Sequence, residues 1–158
     1  MSGYDWLLFV HVTGAFLLVG GAVVAGVVQL SAMGRERPSE VALLMGITRR
    51  AIGVVGLGAL LALVFGIWLA ENRHYGITDE WVLASIALWV LSQALGGVGG
   101  RMERQTRELA ERLAAEGDRP SPELRRRLRD PLALALSYSS AAALLAILVL
   151  MVWKPGAY

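Results

Sequence analysis

The stretch YDWLLFVHVTGAFLLVGGAVVAGVVQL, residues 4–30, decides how the rest of the chain is read. It carries no charge after Asp5. It is longer than the roughly 20 apolar residues that a bilayer-crossing helix needs. It also holds an imidazole, His11, which is costly to keep at membrane depth. The start, MSGYDW, lacks a positive leader and the apolar run is too long for a signal peptide, so a retained first span is expected.

The remainder of the chain follows the same logic. It has 158 residues, enough for one domain, and 56% of them are hydrophobic. With a mean hydropathy of +0.55 this is a membrane composition. Three further apolar runs have spanning length, at about 51–70, 81–100 and 131–153, after a first span at about 4–33. The expected fold is all-α: an integral membrane four-helix bundle in a single transmembrane domain, 1–158. There is no Cys, which removes disulfides, thiolate metal sites, iron–sulfur clusters and Cys nucleophiles.

Charge sets the expected topology. The connections after the first and third spans hold thirteen Arg, whereas the other side holds only Arg73 and Lys154 beside Asp5, Glu71, Asp79 and Glu80. Basic residues collect on the cytoplasmic side. Both termini and the loop ENRHYGITDE (71–80) are therefore expected outside a bacterial plasma membrane. Trp6, Trp68, Trp81 and Trp153 fall near that outer boundary, with Tyr4 and Tyr75, as an anchoring belt.

Residues 101–130 read as a cytoplasmic helical hairpin. RMERQTRELAERLAAEG continues the third span, with Glu103–Arg107 and Glu108–Arg112 at i,i+4. Gly117 stops it, and SPELRRRLRD reads as a short helix capped by Ser121 with Pro122 first. Asp130–Pro131 repeats the device before the fourth span. Seven acids are interspersed with the nine Arg here, and no aromatic residue occurs. That favours a solvated, topology-setting face touching anionic lipid headgroups over nucleic-acid binding.

Small residues mark the expected packing faces. On the first helix these are His11, Gly14, Ala15, Leu18, Ala22, Gly26 and Gln29; on the second, Gly58, Ala62, Gly66 and Ala70. The third offers Ser85, Trp89, Ser92, Gln93, Gly96 and Gly100, and the fourth Ala135, Ser139, Ala142, Ala143 and Ala146. Gln29, Gln93 and Ser137 to Ser140 either bond between helices or line a hydrated cavity. His11 thus faces the bundle, about 9 Å below the outer boundary at 1.5 Å per residue.

Two readings of His11 stand. It donates a hydrogen bond across helices, or, as a neutral ring, it ligates a metal or haem iron. His74 lies past the outer end of the second span. Met151, at His11's depth, is either a second axial ligand or core. No Gly-rich nucleotide loop, paired intramembrane carboxylates or Ser–His–Asp set appears.

FVHVTGAFLLVGG (9–21) resembles the opening helix of small bacterial membrane proteins of the copper-resistance D type, of the HemJ-type protoporphyrinogen oxidases and of an uncharacterised four-helix family. TRRAIGVVGLGALLALVFGIWLA (48–70) is most similar to the last of these. In HemJ-type proteins the first-helix His ligates haem b, so the resemblance implies that role for His11. The expected function is that of a redox-associated membrane protein with haem b on His11 and Met151. The alternatives are a non-catalytic subunit of a homo-oligomer or larger membrane complex, and transport as an oligomer.

Overall fold

The computed structural model describes residues 3–72 and 78–155. It contains helices α1 (Gly3–Met33), α2 (Pro38–Asn72), α3 (Glu80–Ala115), α4 (Pro122–Leu128) and α5 (Pro131–Trp153). Four helical segments are long and apolar enough to cross a membrane. The all-α bundle read from the sequence is therefore the fold.

Why these segments are helices is local. Long apolar runs contain no internal proline, and prolines stand where a helix begins, at Pro38, Pro122 and Pro131. Asp130 caps α5, its carboxylate accepting from the N–H groups of Leu132 at 2.8 Å and Ala133 at 3.3 Å. Ser121 caps α4 by accepting from Leu124 N–H. Gly117, at φ +121°, makes the turn after α3 in a conformation that side chains disfavour.

α1 lies along α2, α2 on α3, and α3 on α5, whereas α1 and α5 meet only marginally. Large apolar side chains such as Phe9, Phe16 and Val152 point outward, as a lipid-facing surface requires. Ser92 and Ser140 fasten α3 to α5, each hydroxyl reaching the other's backbone carbonyl, at 3.4 and 3.1 Å.

Three helices overshoot the bilayer. α1, α2 and α3 have 31, 35 and 36 residues, roughly 46–54 Å at the helical rise, against a hydrocarbon core of about 30 Å. The excess gathers at the Arg-rich end. There Ala32, Val41, Met45, Leu109, Ala110, Leu124 and Leu128 form a separate buried core under α4. α2 begins at Pro38, so the connection after the first span is mostly helix. The 101–130 segment is the end of α3 with α4 folded back onto this core.

Several packing expectations are corrected. Ala135, Ser139 and Ala142 of α5 are exposed, as is Gly26 of α1, whereas Gly96 of α3 faces Ser140 of α5 as expected. The α5 face that packs is Ser140, Ala143, Leu144 and Ile147. α5 is apolar all round, so spacing alone does not distinguish its buried stripe. Trp81 is buried, unlike the exposed Trp6, Trp68 and Trp153. Neither expected ion pair on α3 is formed. Arg104–Glu108 and Arg107–Glu111 form instead, at 3.5 and 2.7 Å.

Candidate functional site

The site begins with two glycines that let α1 and α2 touch by backbone. A Cβ on Gly14 would fall 2.6 Å from the Ala62 nitrogen, and one on Gly58 would fall 2.5 Å from the Leu18 nitrogen. Only glycine fits such an approach. One helical turn toward the Trp-rich end, the same seam opens just enough for an imidazole.

His11 occupies that space. Its Nδ1 lies 2.9 Å from the Ala62 carbonyl oxygen. A carbonyl only accepts, so Nδ1 carries the proton and, in the neutral ring, Nε2 holds the lone pair. The ring rests on Gly66, where a Cβ would meet Cε1 and Nδ1 at 2.9 Å. A backbone hydrogen bond on one ring nitrogen fixes tautomer and orientation, the usual support for a ligating histidine.

The half-buried ring lines a cavity of about 530 Å³ built by α1, α2, α3 and α5. That volume is in the range of small-molecule and cofactor sites. Leu18 and Leu144, which form a buried cluster with Ala59, line it. Its walls are almost wholly apolar, including Val12, Ile67, Val82 and Ile147. Met151 lines the same cavity, so the two residues singled out from the sequence share one space. His74 and Tyr75 lie outside the described residues.

Reasoning from sequence missed Trp89 as a polar group of the site. Its indole Nε1 is buried and meets no hydrogen-bond partner among the described residues, and the side chain lines the cavity. A buried donor left unsatisfied costs about 1–3 kcal/mol. Ser85 contributes no free donor, because its hydroxyl bonds the Trp81 carbonyl at 2.7 Å. Lys154, in the left-handed region at φ 41°, stands at the rim with Nζ 5.8 Å from the Trp81 ring centre. No group of three or more His, Asp or Glu gathers as a metal cluster among the described residues.

The family model of predicted integral membrane proteins, DUF2269, matches residues 5–155. The chain belongs to DUF2269. The match takes in all four spans and every residue of the His11 cavity except Tyr4. No curated protein and no solved structure matches this DUF2269 chain.

At the Arg-rich end the DUF2269 chain is tied by a second device. Asp118, in the turn after α3, accepts from both the backbone N–H and the hydroxyl of Ser39, each at 2.7 Å. The residue thus caps α2 from far along the chain. The Ser39 hydroxyl, then the Ser39 N–H and the Arg37 charge, hold its carboxyl below the usual range. Gln29 of α1 reaches the Leu128 carbonyl at 3.4 Å, and Arg125 pairs with Glu36 at 3.3 Å. Burial pushes the Glu103 carboxyl up. These contacts brace the end of the bundle.

Proposed function

We propose that this protein is a b-type haem-binding, redox-associated membrane protein. The supporting observation is the His11 ring, held through Nδ1 by the Ala62 carbonyl beside a largely apolar cavity that also takes in Met151. The donor set fits the group: a neutral imidazole nitrogen, a thioether and apolar walls. His11 would hold the iron through Nε2, with Met151 as the second ligand. Bound there, haem would supply one-electron chemistry. The chain's own part is to orient the imidazole, exclude water from the cavity and present a buried indole donor, Trp89. The resemblance of residues 9–21 to HemJ-type proteins supports the same assignment.

Orientation follows the Arg excess. The Arg-rich end, with its helical core and anionic-headgroup contacts, lies in the cytoplasm of a bacterium. The His11 cavity opens in the outer half of the plasma membrane, with both termini outside.

The test is spectroscopic. Protein purified in detergent from haem-replete cells should show a Soret band, and His11→Ala should lose it while eluting as wild type does. A colourless wild-type preparation rejects the reading. A second reading, a cofactor-free subunit of a membrane complex, draws on Leu43 and Ile47. Both are exposed on α2, beyond Arg49 and outside the expected span. A colourless protein that co-purifies with a fixed partner favours it.

A further inference from the structure

Three residues that line the His11 cavity are also exposed on the outside of the bundle: Leu8 and Val12 on α1, and Leu148 on α5. None of the cavity residues contributed by α2 or α3 is exposed. α1 and α5 also meet only marginally. The cavity therefore opens sideways, through the seam between these two helices. The sides of the rim, Leu8, Val12 and Leu148, are aliphatic and face acyl chains, with Lys154 only at the outer end of the cavity. A water-soluble ligand gains nothing from such a rim. A flat hydrophobic molecule dissolved in the bilayer meets apolar surface from entry to seat and has no water shell to shed on the way.

We propose that the cavity is loaded from within the bilayer, through the α1–α5 seam, by a flat lipid-soluble molecule. The natural occupant rests on the haem reading above; the route does not. On entry the ligand meets Val12 and Leu148 first, then His11 and Trp89 behind them.

The chain has no Cys, so introduced thiols are labelled uniquely. Val12→Cys with Leu148→Cys, in nanodiscs, is bridged with bifunctional maleimides of graded length. Haemin is then supplied from lipid vesicles. Bridging is expected to slow growth of the Soret band at least tenfold. Bridging after loading is expected to slow release equally. Equal rates with and without the bridge overturn the route and leave the haem reading standing. If unbridged protein takes up no haem, the haem reading fails alone. The route is then read with pyrene, through the part of tryptophan quenching that Trp89→Phe abolishes. Pyrene that enters bridged protein as fast as unbridged, or never enters, overturns the route. If the double variant does not fold, Val12→Trp, a change at an exposed position, is expected to slow the same uptake.

Discussion

The His11 ring lies on the α-carbon of Gly66, in a space that a single methyl group would fill. This contact joins α1 to α2 at the edge of the cavity, and it makes the position of the imidazole depend on the absence of a side chain. Gly66→Ala should therefore move the ring and lengthen its bond to the Ala62 carbonyl. The hydrogen bond is worth about 0.5–1.5 kcal/mol, and overpacking adds about 1–3 kcal/mol. Unfolding by SDS in mixed micelles measures the loss. If haem is bound, the Soret band should shift or weaken in the same variant. An unchanged band with unchanged stability would show that the ring has room to spare.

Gly58 should be less tolerant than Gly66. Its missing Cβ would press on backbone atoms of Leu18 and Gly14, which belong to a helix and yield little. Gly58→Val should separate α1 from α2 along the whole seam and destabilise by more than Gly66→Ala. The same SDS titration ranks the two, and a reversed order rejects the close-approach account.

Trp89→Phe separates a ligand site from an empty one. In ligand-free protein the change removes a buried donor without a partner, so stability should hold or rise by about 1 kcal/mol. If the indole donates to a bound group, affinity for that group should fall about tenfold, equivalent to about 1.4 kcal/mol. Haemin titration of the two proteins, alongside their SDS midpoints, reads both effects.

The Arg-rich end should respond to acid through Asp118. Its carboxyl is held below its ordinary value by Ser39, so its contribution is present above the unfolded pKa. That contribution is lost as pH falls through the lower folded value. Ser39→Ala should destabilise this end at neutral pH, and the difference from wild type should vanish in strong acid. Hydrogen exchange at the start of α2, followed against pH, reads this end selectively.

Glu103 carries the opposite sign. Burial raises its carboxyl, so the folded state favours the protonated form. Stability is full below the ordinary carboxyl value near 4.5 and declines as pH rises through the raised one. Glu103→Gln should thus be more stable than wild type at pH 7 and indistinguishable from it at pH 4. A variant that is less stable at pH 7 would mean that the carboxylate has an unrecognised partner.

Much of this protein is legible in one dimension. Four apolar runs of spanning length, separated by polar segments, already imply an all-α membrane bundle, because a lipid-embedded backbone must satisfy its own hydrogen bonds. The caps at Ser121 and Asp130 are likewise local, formed within three residues of the helix start. His11 and the small residues of α2 could be placed on facing stripes, because glycine and alanine contrast with their bulky neighbours at helical spacing.

What needed the tertiary structure is whatever depends on a partner far along the chain. The Ala62 carbonyl under His11, the Asp118 cap on Ser39, the burial of Trp81 and the cavity shared by His11, Trp89 and Met151 all join distant segments. The buried stripe of α5 belongs with them, since a helix that is apolar on every side carries no mark of its inner face. Length and hydrophobicity are properties of a segment and are written in its residues. Which backbones approach closely enough to exclude a methyl group, and which seam stays open, is a property of four helices packed together.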